Sequence, residues 1–569
     1  MGLLTWLYRF DPDPHHDGYM FTAARGVSEG LELHRQVFYQ YGPLTGWLHG
    51  LVLFLFGSKL FVLRLVSVAS IVGALYFAQR SAQHSFSKAT ASIGTVLYLA
   101  SAYFFSESLP PLAWSSDVAL LLQGIVLFIV ARGISSYKKT NKSFVLIGAV
   151  LALLCLTRLS TGLVSSSFVF AVLFLDKGRR KNVLNLLTGW FSVALGAVVI
   201  LWAQGSLSLW WTQTIVIPRH IYLRTLGGSG VDSLGVSLAS RGIPLLAICT
   251  AVVLLAIYSS RVSSVGNRLL VQVLGAMNVA LFFWLVGRST DYFLIGRDSI
   301  LWIVVVMMVI IITPSEIATY AENRDLPRLL FIAMSLASLV QIFPITDYRH
   351  LWWAVFPAIY PATELLLKFL ANSNFGKILI GGLVGLTVIA GIHGLMATLS
   401  IPRYKLPGET FDGMLARRDV FLTLDDNLRL KSDFEQSYGS RPSLNLCVDG
   451  LYAGLSGKVG FPDPYFVDGW EFPTQVHDEA KQQEFVRKYQ PFVWMCPPVV
   501  QPSVDESAPT ALSVIQPFGY RLTARRKCLV DDPRFNEWPR LVYLAVPSNW
   551  PQSEIEAQLK DDTECMESM

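Results

Sequence analysis

Acidic and histidine side chains gather in the polar segment 11–43, which begins DPDPHHDGYMF. Asp17 follows two histidines and precedes a helical pattern that runs through Ala24. A carboxylate within hydrogen-bond reach of a hydroxyl group can take its proton when that hydroxyl acts as a nucleophile. Asp17 is therefore a candidate general base. The alternative is an N-cap on the helix that starts near Gly18, a position that aspartate favours.

Asp11 and Asp13 form a DxD pair in the same segment. Such a pair can hold a divalent metal, but the flanking prolines are equally typical of an ordinary rigid turn. We expect the turn, and therefore no metal and no other cofactor. The neighbouring His15 and His16 point apart in an extended chain, so they do not make a ready ligand pair.

Further polar residues lie at the ends of apolar stretches. Asp117 stands near the start of the run SSDVALLLQG, where a carboxylate usually faces a cavity or a partner. Arg158 separates two short apolar stretches, where it either reaches the membrane interface or lines a turn. Asp347, Arg349 and His350 all lie in one very short turn. A plain connector would not need three titratable groups. A salt bridge between Asp347 and Arg349 is the alternative.

Two more loops add candidates. Segment 204–242 holds Trp211 and Arg219, followed by a glycine-rich stretch, GGSGVD, that could cover a site. An ordinary loop at the membrane interface, where tryptophan is enriched, is the alternative. Arg288 and Arg297 bracket STDYFLIG in another short loop.

The elements that must position these residues are membrane helices. Of the 569 residues, 52% are hydrophobic and 15% are charged, whereas soluble domains carry about 25% charged residues. Crossing a bilayer takes about 20 largely apolar residues. The predicted spans are 60–79, 90–106, 109–131, 143–157, 160–176, 183–203, 243–260, 268–287, 298–313, 328–345, 351–370 and 378–400. The pair 143–157 and 160–176 could be one broken unit. Residues 44–56 are predicted to lie at the interface, with a span as the alternative.

The predicted fold is an all-α polytopic transmembrane bundle of about 12 spans, residues 1–400, followed by a soluble mixed α/β domain, residues 401–569. Residues 1–10 are apolar but too short to cross a bilayer. In a longer form of the protein they would be the end of a thirteenth span. In the tail, residues 401–569, strand-like pieces such as FVWMC alternate with turns and charged helical stretches. Four cysteines fall there and allow three disulfide pairings: Cys447, Cys496, Cys528 and Cys565.

Lysine and arginine in the short loops set the orientation. One set of loops mixes both types, as at Lys138 and Arg180, and we expect it on the cytoplasmic side. The first loop, residues 11–43, and the tail are then extracytoplasmic. Up to residue 400 the outer loops carry arginines with Lys59 as their only lysine. The planar arginine fork suits phosphate oxygens, so this bias indicates a phosphate-bearing ligand. Scattered arginines without a ligand are the alternative. The net charge of +5 and the lack of a basic stripe predict no nucleic-acid partner.

The first loop and the helices after it resemble the GT-C superfamily of integral-membrane glycosyltransferases. This superfamily includes the protein O-mannosyltransferases, the lipid A aminoarabinose transferases and many cell-envelope transferases. The layout of many spans, a large first outer loop and an outer soluble tail agrees over residues 11–400. The family normally has a helix before the first loop. The matching residues are Asp17, Gly30, Tyr41-Gly42-Pro43-Leu44, Phe56-Gly57 and Arg64-Leu65.

The resemblance implies an inverting transfer of a sugar from a polyprenyl-phosphate donor to a glycan, lipid or protein acceptor. The reaction would take place at the outer face of the cell inner (cytoplasmic) membrane, with Asp17 as the general base. Donor phosphate contacts are expected from Arg349, His350, Arg288 and Arg297. Acceptor or sugar contacts are expected from His16, Tyr41, Asp117, Trp211 and Arg219.

Other classes also fit a polytopic chain. A transporter or flippase would place ionisable residues near the bilayer midplane and repeat its two halves. Here the polar residues lie at the predicted outer rim, and the sequence shows no internal repeat. A non-catalytic envelope-assembly protein would not require an acid in the first loop. An O-antigen ligase or polymerase, which is closer in class, usually carries its key loop late in the chain.

Overall fold

Every regular element described before residue 400 is a helix, which confirms the predicted helical architecture. The computed structural model describes residues 2–13, 16–102, 112–135, 140–175, 181–218, 325–342, 348–370, 374–418, 420–421, 424, 443–446, 479–495, 515–527 and 541–549.

The helices follow the apolar runs of the sequence closely. The first ten are α1 (Gly2–Leu7), α2 (His16–Ser28), α3 (Pro43–Phe56), α4 (Leu60–Ser85), α5 (Lys88–Ser101), α6 (Ser115–Ser135), α7 (Thr140–Thr157), α8 (Leu159–Leu175), α9 (Lys181–Ala203) and α10 (Leu207–Trp211). Helix α10 continues into a π-helical turn, Thr212–Val216. The next four are α11 (Leu326–Ser338), α12 (Tyr348–Ala354), α13 (Ile359–Leu370) and α14 (Asn374–Ser400).

Three of the described helices are long and apolar enough to cross a membrane, judged by length and composition: Leu60–Ser85, Ser115–Arg132 and Asn182–Ala203. Helices α9 and α14 also expose large apolar side chains, among them Leu195, Trp202 and Ile389. Such faces suit contact with lipid rather than with water. The count of about 12 spans stays a prediction, because 243–260, 268–287 and 298–313 lie outside the described residues.

Helices α7 and α9 touch backbone to backbone through two glycines. A Cβ atom on Gly148 would lie 1.9 Å from the carbonyl oxygen of Leu186, and one on Gly189 would lie 1.9 Å from that of Val145. Small residues allow such close approach between membrane helices, where packing replaces the hydrophobic effect as the main source of stability. The glycines therefore fix the contact between α7 and α9.

One predicted span is interrupted, and two neighbouring predicted spans are joined by a tight turn; both features matter for the site. Residues 351–370 do not form one helix: α12 ends at Ala354 and α13 begins at Ile359. Pro357 lies between them, and proline lacks the N–H that a continuous helix needs. Helices α7 and α8 meet at Arg158 and fold back so tightly that a Cβ on Gly162 would lie 2.3 Å from the Cys155 backbone. The chain thus turns at Arg158.

Strands appear after residue 400. Strands β1 (Arg403–Lys405) and β2 (Leu415–Arg417) form an antiparallel hairpin. A second sheet has the order β3-β4-β6-β5, in which only β3 and β4 run parallel. Its strands are β3 (Ser443–Leu446), β4 (Phe492–Met495), β5 (Tyr520–Lys527) and β6 (Leu541–Pro547), and helix α15 (Glu479–Tyr489) precedes β4. The boundary at residue 400 and the separate domain stay predictions. Cys447, Cys496, Cys528 and Cys565 lie outside the described residues.

The β1–β2 hairpin binds the segment that leads into the first loop. The Arg9 side chain donates to the carbonyl oxygen of Gly413 at 2.6 Å, and the Asp11 amide donates to that of Leu415 at 2.8 Å. The Asp11 carboxylate accepts from the Arg403 guanidinium at 3.3 Å and from the Arg417 amide at 2.8 Å. The hairpin therefore fixes the approach to the first loop.

A glycine substitution tests the contact between α7 and α9. Gly189→Val places its side chain against the Val145 carbonyl group, so the two helices must separate. Overpacking costs about 1–3 kcal/mol where side chains can move, and here backbone must move. We expect a clearly lower Tm for the detergent-solubilised protein. Gly196→Val on the same helix is the control, because a Cβ there meets nothing within 4 Å. Equal Tm values for the two variants would contradict the contact.

Candidate active site

A buried ion pair joins Asp17 of the first loop to Arg64 of α4, and both side chains are 0% exposed. Arg64 Nη2 donates to Asp17 Oδ2, and Nε donates to Oδ1 at 3.3 Å. The remaining N–H groups bind the carbonyl oxygens of Tyr8 at 3.2 Å, Phe10 at 2.5 Å and Asp11 at 3.0 Å. All five guanidinium donors are thereby used. Arg64 thus ties α4 to the segment before the first loop.

The Asp17 carboxylate accepts two further hydrogen bonds from backbone amides. The Asp13 amide donates to Oδ2 at 2.8 Å, and the Ala113 amide donates to Oδ1 at 3.2 Å. Four donors therefore surround a carboxylate that has about four acceptor sites. This geometry makes Asp17 a positioning group that joins α2, α4 and the start of α6. Its role as the general base stays a prediction.

N-capping of α2 was the alternative role for Asp17, but in the structure Asp13 makes the capping contact. Its Oδ1 accepts from the His16 amide at 2.6 Å, as an N-capping aspartate does. Both Asp13 oxygens also lie 3.1 Å from His16 Nδ1. Asp13 is buried, whereas 26% of the His16 side chain is exposed. The structure therefore pairs a buried carboxylate with a half-buried imidazole at the start of α2.

Two arginines and a wall of aromatic rings meet where the first loop ends and where α6, α8 and α12 begin. We call this group the arginine–aromatic cluster: Tyr41, Trp114, Asp117, Arg158, Arg349 and Trp353. The Arg158 guanidinium lies 5.9 Å from the ring centres of both Tyr41 and Trp353, a distance at which cations and aromatic rings attract. It also donates to the Ser116 hydroxyl group. Tyr41 packs edge-on against Trp114 at 5.3 Å.

Asp117 joins the two halves of the cluster. Its Oδ1 accepts from the Trp353 indole N–H at 3.0 Å, and the Arg349 guanidinium interacts with it electrostatically. Asp117 and Arg349 are 3% and 8% exposed. His350 packs edge-on against Trp353 at 5.3 Å. The structure thus brings together Tyr41, Asp117, Arg349 and His350, which were predicted from three separate parts of the sequence.

Gln213, which follows α10, holds the first loop in place through hydrogen bonds to its backbone. Its amide group donates to the His34 carbonyl oxygen at 2.8 Å, and its Oε1 accepts from the Tyr39 amide at 3.1 Å. His34 Nδ1 lies 3.2 Å from the same Oε1. Burial lowers the pKa of His34 to about 4. Gln213 lies in the π-helical turn after α10, a feature that often marks functional sites.

The remaining predicted residues are more scattered. Trp211 is 54% exposed and packs against Trp210 at 6.5 Å; among the described contacts it does not join the cluster. Asp11 and Asp13 bind different partners, and the described residues contain no group of three His, Cys, Asp or Glu side chains fit for a metal ion. Arg219, Arg288 and Arg297 lie outside the described residues.

The sequence leaves two settings open for Arg158, and no pattern in it marks Gln213 as a contact of the first loop. Arg158 stood out because it separates two short apolar stretches. The sequence could not decide whether it lies in a turn or reaches the membrane interface. Gln213 offered no signal, because its partners His34 and Tyr39 lie 179 and 174 positions away.

Removing one partner of the buried ion pair should destabilise the protein strongly. Arg64→Leu leaves the Asp17 carboxylate buried without a cation, which costs about 3–5 kcal/mol. The double variant with Asp17→Leu should lose less stability than the sum of the two single variants, because the uncompensated charge is gone. Thermal unfolding in detergent measures all three. Arg80→Leu at the exposed end of α4 is the control, and strictly additive losses would contradict a coupled pair.

Stability should also depend on the protonation of His34. Below pH 6.5 the unfolded chain binds a proton at this residue, while the folded chain stays neutral down to about pH 4. The contribution of His34 to stability is therefore intact above pH 6.5 and is lost as the pH falls to 4. The pKa values of His34 in the unfolded and the folded chain differ by about 2.5, which corresponds to about 3 kcal/mol in the free energy of unfolding.

His34→Asn should remove this part of the pH dependence. Asparagine tolerates the left-handed backbone at this position, where φ is 67°. Unfolding of both proteins would be compared between pH 4 and pH 7. If the stability of wild type and of His34→Asn changed equally with pH, His34 would not titrate as its burial requires.

Part of the chain matches a known protein family. Residues 40–203 match the family model of the dolichyl-phosphate-mannose-protein mannosyltransferases. No curated protein sequence matches the chain. The matched range begins at the end of the first loop and includes Arg64, Asp117 and Arg158.

Two solved structures align with this chain at low sequence identity. ArnT from Cupriavidus metallidurans bound to undecaprenyl phosphate is 13% identical, with a TM-score of 0.44 and coverage of 97% of this chain and 98% of that chain. The Archaeoglobus fulgidus oligosaccharyltransferase with zinc and sulfate is 14% identical, with a TM-score of 0.40 over 68% of this chain and 49% of that chain. This chain therefore spans about half the length of that protein. The family match over residues 40–203 confirms the predicted resemblance to the GT-C superfamily of membrane glycosyltransferases.

Proposed function

We propose that the protein is a membrane glycosyltransferase that moves a sugar from a polyprenyl-phosphate donor to a glycan, lipid or protein acceptor of the cell envelope. The reaction takes place at the outer face of the cytoplasmic membrane and inverts the anomeric centre. The observation that carries the proposal is the arginine–aromatic cluster, where Arg158 lies over the Tyr41 and Trp353 rings and Arg349 interacts with Asp117, which binds Trp353.

The two arginines suit the phosphate of such a donor. When the sugar leaves, negative charge grows on the phosphate oxygens, and fixed cationic donors stabilise that charge most effectively where water is excluded. Arg349 is largely buried, and Arg158 is half-buried between two rings. Helices α3 and α6 also begin at the cluster, and helix N-termini favour anions.

Asp117 and the aromatic rings complete the arrangement. Asp117 binds the Trp353 indole and interacts with Arg349. It therefore fixes the positions of this ring and this guanidinium before the donor binds. Tyr41 and Trp353 offer flat apolar faces that suit a sugar ring. His350, Arg288 and Arg297 remain proposed helpers for the phosphate, and Trp211 and Arg219 remain proposed contacts for the acceptor or the sugar. The reaction is proposed to need no metal ion or other cofactor.

The rival classes predict different outcomes when the protein meets a polyprenyl-phosphate sugar. A transporter or flippase would bind a lipid-linked substrate without cleaving it. A non-catalytic assembly protein would neither bind nor cleave a polyprenyl-phosphate sugar. Slow release of sugar from the bound donor therefore separates a transferase from both classes.

Donor binding by arginine variants tests the proposal. Purified protein in nanodiscs would be incubated with a panel of radiolabelled polyprenyl-phosphate sugars, and binding and sugar release would be measured. Arg349→Ala should lose about 1.5–3 kcal/mol of binding, the worth of a charged hydrogen bond, which is about tenfold or more in Kd. Arg158→Lys should bind less tightly than wild type, because lysine keeps the charge but loses the planar fork.

Arg132→Ala serves as the control, since Arg132 is exposed at the other end of α6. It should bind and release like wild type. If no donor of the panel binds, or if Arg349→Ala and Arg158→Lys match wild type, the transferase proposal fails.

A further inference from the structure

We propose that Gln213 and Thr214 are positioning residues of the proposed donor site, because they hold the backbone that carries Tyr41. Both residues lie in the π-helical turn Thr212–Val216, which follows α10. The inference rests on the proposed function and deepens it, since it adds a distant segment of the chain to the same site. Neither residue has to touch the donor, because both act through the Tyr41 ring, over which Arg158 lies.

The end of the first loop, residues 39–41, belongs to no helix or strand. Buried backbone N–H and C=O groups need partners, and a segment outside regular structure must find them elsewhere. The Tyr39 amide donates to Gln213 Oε1 at 3.1 Å. The Tyr41 carbonyl oxygen accepts from the Thr214 hydroxyl group at 3.2 Å. Two neighbouring side chains of the π-helical turn therefore bind this segment at both of its ends.

Gln213 uses both ends of its amide group. Its Nε2 donates to the His34 carbonyl oxygen at 2.8 Å. His34 Nδ1 lies 3.2 Å from Oε1, which can only accept, so the imidazole donates from Nδ1. His34 has a φ of 67°, a left-handed conformation that is uncommon for residues other than glycine. Gln213 is 3% exposed, so its bonds fix a turn that water does not reach.

One more side chain holds the middle of the segment. The Tyr19 hydroxyl group accepts from the Gln40 amide at 2.6 Å. This contact joins two parts of the first loop, because Tyr19 lies on α2. The contacts of Gln213 and Thr214 span 174 and 173 positions of the chain instead. They therefore set where the segment lies relative to the helix bundle.

The segment lies directly on the turn that presents Arg158. A Cβ atom on Gly42 would lie 2.1 Å from the Leu156 carbonyl oxygen, so the two backbones are in contact. The Arg158 guanidinium lies 5.9 Å from the centre of the Tyr41 ring. This distance is close to the limit of about 6 Å within which a cation and a ring attract each other appreciably. A small displacement of Tyr41 away from the turn therefore weakens its contact with Arg158.

This placement bears on the reaction because the guanidinium must meet the phosphate oxygens in a fixed geometry. Displacing a reacting group by about 1 Å can cost about 100-fold in rate. Loss of the contacts from the π-helical turn should loosen Tyr41 and, through it, Arg158. Weaker binding of the donor is the expected result.

The Thr214 hydroxyl group gives the cleanest test, in the full-length protein in nanodiscs with the panel of radiolabelled polyprenyl-phosphate sugars. Thr214→Val keeps the branched shape and removes the bond to Tyr41. The Kd of the donor should rise about fivefold, the worth of one hydrogen bond. Thr214→Ser keeps the hydroxyl group and should bind like wild type. Thr212→Val on the same turn is the matched control and should also bind like wild type, because the Thr212 hydroxyl group donates to the Ser208 carbonyl oxygen of α10.

Gln213→Met tests the second residue, since methionine has a similar length but no amide group. The variant leaves the Tyr39 amide and the His34 carbonyl oxygen without this partner, so the Kd of the donor should rise about tenfold or more. The Tyr39 amide should also exchange its hydrogen faster. Mass spectrometry of the peptide that covers residues 38–42 measures this exchange without any donor.

A double-mutant cycle separates positioning from general loss of stability. In the Tyr41→Ala background the ring through which Thr214 acts is missing. Adding Thr214→Val to this background should therefore leave the Kd of the donor unchanged. Additive effects of the two substitutions would show that Thr214 acts by another route, and the inference would be overturned.

The remaining outcomes distinguish the inference from the proposed function. If wild type binds no donor, the proposed function fails, and the positioning role falls with it. If wild type binds a donor and both Thr214→Val and Gln213→Met bind it equally well, the function stands and the inference is overturned. Equal losses in Thr214→Val and Thr214→Ser, or unchanged hydrogen exchange in Gln213→Met, would overturn it as well, because these contacts would then not hold the segment.

Discussion

The buried ion pair of Asp17 and Arg64 is the interaction on which the rest of the site depends. An uncompensated charge at this depth would be very unfavourable, so each side chain requires the other. Arg64 is presented by the long helix α4, which packs against α6 in the bundle. Through this pair the bundle fixes the backbone at Tyr8, Phe10, Asp11, Asp13 and Ala113. The start of α2 and the start of α6 are thereby held close together.

That anchoring explains why groups from distant parts of the chain can act together. Trp114 follows the anchored Ala113, and His16 precedes the anchored Asp17. Their rings meet because the two anchor points share one carboxylate. The breaks in the helices serve the same end: the turn between α7 and α8 presents Arg158, and α12 presents Arg349. Packing thus gives the site its shape, and the charges are added where helices begin or turn.

Much of this arrangement could be predicted from sequence. Apolar runs gave the helices, because lipid and core both select for continuous apolar faces. The loop motifs gave the family resemblance, and the crowding of Arg349 and His350 in a short turn singled out two residues that lie beside Asp117 and Trp353. The burial of Asp17 could not be predicted, because its partner lies 47 positions away and leaves no local pattern. The break at 355–358 was missed although Pro357 was visible, since proline also occurs in kinked membrane helices. The contacts of Gln213 were missed for the same reason as the pairing of Arg64 with Asp17: long-range hydrogen bonds have no periodic signature.

The hairpin after the last described membrane helix has a consequence for biosynthesis. Arg9 binds Gly413, 404 positions later in the chain, and Asp11 depends on Arg403 and Arg417. Chains grow at about 5–20 residues per second, so the approach to the first loop waits tens of seconds for its partners. During that time the loop is already outside the ribosome but lacks its final support. Maturation of the site is therefore delayed until the membrane helices that precede the hairpin have been made, which ties the onset of activity to the completion of insertion.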